Sequence, residues 1–200
     1  MALTDRFLKA KHWQLFLLTF GIPLIFQFII MEKMVSSIGT GTAPDPSALF
    51  IFFKIYPLLM IPIGFIFFGW FWSVAIGLQS KIPENVKMKV KKFKLFFLIL
   101  LVYLLIINVL LWVLTNGLMT GTIEPNNDQA GFAFAIIVPL HLFSMFCIFY
   151  SLYFVAKTFK TVELQREVSF ADFAGEFFMI WFYPIGIWMV QPKINKMIEK

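Results

Sequence analysis

The chain has 200 residues, of which 60% are apolar and 27 are phenylalanine, and its 17 basic and 11 acidic residues leave a net charge of +6. Soluble domains are roughly half apolar, and an extramembrane globule needs at least about 50 residues to bury a core, whereas the longest polar stretch here is about 20. Composition therefore excludes a soluble fold and a separate catalytic globule, and leaves function to helices, short loops and a tail.

Four runs without a charged residue occupy 13–31, 55–79, 95–115 and 130–156. At about 1.5 Å per residue each can cross a hydrocarbon core of ~30 Å as a helix. A bilayer core has no water to satisfy backbone N–H and C=O groups, so such a run closes its hydrogen bonds within the helix. The expected fold is an all-α integral membrane protein with four transmembrane helices in two tandem hairpins, followed by a C-terminal amphipathic or re-entrant helix. The corresponding divisions are a first hairpin at 1–79, a basic connector at 80–94, a second hairpin at 95–157 and a tail at 158–200. The first run spans 19 residues, longer than the ~7–15 of a signal-peptide core, so it reads as a retained span.

Orientation follows from lysine and arginine, which stay on the cytoplasmic side near span ends. The N-terminal segment, the 80–94 connector and the region after the fourth run hold all of the 17 basic residues except Lys33 and Lys54. Four crossings with both termini in the cytoplasm satisfy all three segments, in a bacterial inner (cytoplasmic) membrane. Orientation and attraction to anionic headgroups account for the positive charge. Direct contact with nucleic acid is not expected, because the basic residues are not interleaved with stacking aromatics on a folded platform. His12 sits among Lys9, Lys11 and Trp13 at the inner interface. Near the outer surface, Lys54 is expected to snorkel to the headgroups or to pair with Asp45 or Glu32.

The two hairpins read as copies in parallel. TGTAPDP at 40–46 precedes the second run and TGTIEPNND at 120–128 the fourth; Pro57-Leu58 and Pro139-Leu140 follow, and IFFGWFWSVA at 66–75 aligns without gaps to IFYSLYFVAK at 148–157. A constant offset of 82 joins Pro57 to Pro139 and Ile66 to Ile148. Parallel repeats would be related by an axis along the membrane normal. Pro57, Pro62 and Pro139 each remove a backbone donor, which predicts kinks or hinges in the second and fourth helices; packing alone also accounts for them.

The third run has no proline or glycine and reads as a straight, lipid-facing helix; its Asn108 is expected to hydrogen-bond across to another helix or subunit. His141, inside the fourth run, has two readings. A structural one bonds it to a carbonyl freed by Pro139, and a functional one gives it a proton or ligand role, since an intramembrane ionisable residue is costly. The single cysteine, Cys147, excludes a disulfide framework and a CxxC site. Neither a metal site nor a cofactor is expected, and no GxSxG, HExxH or Walker signature appears.

In the tail, SFAD at 169–172 has the form of a capping box, so a helix restarts at Phe170. The apolar stretch 177–190 is too short to cross and is interrupted by Pro184 and Gly186, which leaves an interfacial helix or a dip from the inner leaflet. Asp172 and Glu176 lie four apart, and are either solvated, paired with a lysine such as Lys157 or Lys193, or gathered around a cation or partner. The ending EFFMIWFYPIGIWMVQPKINKM at 176–197 resembles that of small, uncharacterised four-helix membrane proteins of Bacteroidetes-type bacteria. In size and four-span layout alone, the chain is similar to membrane accessory proteins of type VI-B CRISPR loci and other antiviral defence loci. The first resemblance covers 22 residues and implies no reaction. The expected function is non-enzymatic: self-assembly or binding of a membrane or cytoplasmic protein, as an accessory or pore-forming effector. The alternative is a small oligomeric channel or carrier.

Overall fold

A computed structural model describes residues 3–39, 46–123 and 127–199, without the side chains of 33, 34, 37–39, 46–57, 118, 119, 127–130 and 132. The described residues are helical with no strand: α1 (Leu3–Lys9), α2 (His12–Phe16), α3 (Ile22–Gly39), α4 (Pro46–Gly77), α5 (Val90–Met119), α6 (Asn127–Leu164), α7 (Phe170–Trp181) and α8 (Tyr183–Glu199). Four stretches are long and apolar enough to cross a membrane: His12–Glu32, Leu58–Lys81, Val90–Gly117 and Ala133–Leu164. All four of the expected apolar runs thus fall on helices. Residues 40–45, Asp45 among them, and 124–126 lie outside the described residues, as do the side chains of Lys54 and Pro57.

The prolines expected to bend the second and fourth helices lie within continuous helices. α4 passes Pro57 and Pro62, and α6 passes Pro139, as single elements. Two missing donors in the 32-residue α4 and one in the 38-residue α6 leave the rest of each ladder in place. In the first span, α2 leads through a π-helical turn, Leu17–Gly21, into α3. Pro23 cannot donate to the Thr19 carbonyl, and just before it the register widens so that Ile22 N–H bonds Leu17 O. The Thr19 hydroxyl turns back to Leu15 O at 2.7 Å.

The core sits at the basic end of the bundle. Trp70, Phe71, Val74, Phe93, Phe154, Phe159, Phe173 and Ile187 are all buried there. α5 packs on α6 and α4, and α7 folds back along α6 and joins α8, which reaches α2 and α1. The outward sides of α5 and α6 remain exposed, with Leu98, Val102, Ile106, Leu142 and Phe146 among them.

The tail is a helical hairpin. Ser169 caps α7 with Asp172 in a reciprocal capping box, as SFAD predicts. The chain leaves helical geometry at Phe182, and Pro184 falls in the first turn of α8, where a missing N–H is harmless. Gly186 lies where α8 crosses α7; a Cβ there would come within 1.7 Å of the Met179 carbonyl oxygen. At the tip, Trp181 contacts Phe149 of α6 at 4.8 Å and Tyr183 contacts Phe67 of α4 at 4.9 Å, while Phe182 and Ile185 stay exposed.

Candidate functional site

Three polar clusters carry whatever chemistry the described residues offer. The first lies within the spanning part of the bundle. Tyr103 on α5 and His141 on α6 meet through the tyrosine hydroxyl and Nδ1 at 2.8 Å, with ring centroids 5.9 Å apart. Tyr103 lies nine residues from Lys94 and 14 from Gly117, about 13 and 21 Å along the helix, so the pair is far from either end of its span. His141 therefore bonds a neighbouring helix rather than a carbonyl freed by Pro139. Its imidazole is exposed on the outside of the bundle, and Nε2 has no partner among the described residues. Asn108 does not join this pair. Its amide donates to Leu104 O of its own helix at 2.8 Å, rather than across to another helix of this chain. It lines a separate cavity of about 370 Å³ between α4 and α5, with Met60, Gly64 and Phe67.

The second cluster holds the tail to the bundle. Lys160 of α6 bridges Glu163 at 2.7 Å and Glu176 of α7 at 2.9 Å; Lys193 of α8 reaches the same carboxylates at 3.3 and 3.7 Å. Two ammoniums thus face two carboxylates. Glu176 is buried, and a carboxylate there is tolerated because it is paired. Asp172 is engaged elsewhere, receiving Arg166 Nη2 at 2.7 Å and the Ser169 N–H at 2.7 Å. The Arg166 guanidinium and the Ser169 donors hold its carboxyl well below the usual carboxylate range. Asp172 and Glu176 consequently form no shared cation site. Lys193 partners Glu176 as one reading expected, whereas Lys157 does not. Among the described residues no group of His, Cys, Asp and Glu could hold a metal ion.

The third cluster is absent from the sequence reading. Gln191, fully buried on α8, accepts from the Trp70 indole N–H at 2.6 Å. Its amide donates to the carbonyls of Leu8 at 3.0 Å and Ala10 at 2.7 Å, and Asn195 one turn later donates to Leu8 O at 2.8 Å. These are orphan acceptors at the C-terminus of α1, and a C-terminal helix satisfies them. Lys81 in turn caps the end of α8 through Met197 O at 2.8 Å. Beside the latch, burial pushes the Tyr183 phenol up to about 12, against the opposing effect of the Thr19 hydroxyl. The signal in the sequence was Gln191 and Asn195, four apart and directly after an apolar run.

No protein-family model, curated protein or solved structure matches the chain. The functional reading therefore rests on the residues themselves.

Proposed function

We propose that this chain is a non-enzymatic membrane component that works by assembling, through the α5–α6 face, with a second copy or with another membrane protein, while its α7–α8 tail offers a cytoplasmic surface. The exposed His141 carries the reading. A polar nitrogen on a lipid-facing helix surface lacks the water it would need, so it is costly unless another chain supplies a partner. Tyr103 satisfies Nδ1 alone. The proposed setting is a bacterial inner membrane with the basic end and both termini in the cytoplasm, supported by the lysines at that end. The tail hairpin then dips into the inner leaflet, its tip residues Phe182 and Ile185 entering lipid; their exposure of 62% and 70% on either side of Tyr183 supports this. An accessory role beside a defence effector is one form this assembly could take.

The test is association in lipid. Replacing His141 with Phe keeps the ring but removes both nitrogens. Interhelical hydrogen bonds in membranes contribute about 0.6–2 kcal/mol, so the variant should associate about 3- to 30-fold more weakly. Equal association of both proteins would overturn the reading.

The channel or carrier alternative draws on the repeat. Shifted by 82, α4 (Pro46–Gly77) corresponds to 128–159, within α6, so the helices that carry the matched motifs match in extent. An ion flux through vesicles carrying the purified protein, with none from vesicles lacking it, would favour that alternative.

A further inference from the structure

A groove of about 460 Å³ opens where α1 meets the base of the first span. Its floor is apolar and buried or partly buried, formed by Phe7, Leu15 and Ile66; its walls are Trp13, Leu17 and Leu18, exposed side chains that run on into the span. Two polar groups line it as well, Arg6 and Gln14. Gln14 is occupied, since its Oε1 caps α2 through the Lys11 N–H at 2.9 Å. Arg6 is exposed and makes no ion pair among the described residues; Asp5 is adjacent in sequence, a spacing at which helical side chains do not face each other.

We propose that this groove binds an anionic phospholipid, with one acyl chain along Phe7, Leu17 and Ile66 and the phosphate on Arg6. The volume lies within the roughly 300–1,000 Å³ of small-molecule sites, and the lining is mostly hydrocarbon with a single unpaired cation at one side. The two features match the two ends of a phospholipid. Guanidinium suits the phosphate because its planar fork donates two parallel hydrogen bonds, and the bond strengthens where water is scarce. Location supplies the rest of the argument: the walls are residues of a helix long and apolar enough to cross a membrane, so a lipid tail reaches the groove from the bilayer without passing through water. Position sets the charge preference too, because Lys9 and Lys11 flank the same segment and add to the positive field around Arg6.

The experiment is native mass spectrometry of the full chain released from bilayers containing equal dioleoyl phosphatidylglycerol and dioleoyl phosphatidylcholine. Wild type should retain the phosphatidylglycerol about tenfold over the phosphatidylcholine: both carry the phosphate that Arg6 holds, but the choline ammonium is repelled by the positive field of Arg6, Lys9 and Lys11, a difference of about 1.4 kcal/mol. Arg6→Gln should lower retention of both lipids and narrow the preference to about threefold or less, and Leu18→Trp, which fills the groove from an exposed position, should lower retention of both without narrowing it. Lys87→Gln, in the exposed connector, should change nothing. Equal retention of both lipids by wild type, or an unaltered preference in Arg6→Gln, would overturn the proposal. So would an equal loss in Lys87→Gln, which would mark general charge attraction, or displacement of the lipid by millimolar glycerol phosphate, which would mark a headgroup site without an acyl groove.

Discussion

Replacing Gln191 with Leu tests the latch that joins the two ends of the chain. Leucine preserves most of the volume, so the cost is polar rather than a cavity. The Trp70 N–H, fully buried and bonded only to Gln191 at 2.6 Å, is left without an acceptor, which costs about 1–3 kcal/mol. The α1 carbonyls of Leu8 and Ala10 keep Asn195 at 2.8 and 3.2 Å, so their loss adds only about 0.5–1.5 kcal/mol. A total of about 1.5–4.5 kcal/mol is expected, with α1 loosened most because its C-terminal carbonyls depend on this contact. Adding Trp70→Phe removes the orphaned donor. The double-mutant cycle should then return a coupling of about 1–3 kcal/mol, whatever cavity the smaller ring leaves. Unfolding in detergent micelles gives the free energies, and proteolysis within 3–11 reports the release of α1. A loss below about 0.5 kcal/mol with zero coupling would refute the reasoning.

Gly186→Ala places a Cβ within 1.7 Å of the Met179 carbonyl oxygen, a backbone atom that cannot rotate away, so α7 and α8 should separate at a cost of at least about 2 kcal/mol, read as lower thermal stability. Asp172→Asn should weaken α7 in a pH-dependent way. The folded carboxyl titrates well below its unfolded value of about 3.9, so its contribution is present above that pH and shrinks as pH falls toward the folded value; the difference in helix content between the two proteins should narrow steadily below about pH 4. A reporter active only in the cytoplasm should work after Lys200 or within 82–90 and fail within 117–128; activity at the third site would contradict the four-span orientation. Deleting 169–200 should leave the spans inserted, since each is apolar enough alone, yet strip the Gln191 and Glu176 contacts and expose α1 to protease.

The spans were legible because a charge-free run of this length has one structural solution in a bilayer, and α7 began at Phe170 because the Ser169–Asp172 capping box is a local signal. What the sequence hid is tertiary. Gln191 became a latch only when α8 crossed the end of α1, a contact between residues 181 positions apart. Asp172 and Glu176 looked like a pair because they share a helical spacing, but the chain turns Asp172 toward Arg166 and Glu176 toward Lys160. Pro139 lies within one long helix, and Pro23, which the sequence reading did not single out, adjoins a π turn in the first span. His141 was singled out by its cost in lipid, and only the fold could supply Tyr103 as its partner.

The central claim, assembly through the α5–α6 face, is tested most directly by photo-crosslinking in native membranes from position 142. Leu142 is 61% exposed and adjoins His141. The account predicts a covalent adduct with a second copy or with one defined membrane protein, its yield reduced when His141 is also replaced by Phe. Adducts with lipid alone from 142, in membranes where the protein is active, would contradict it.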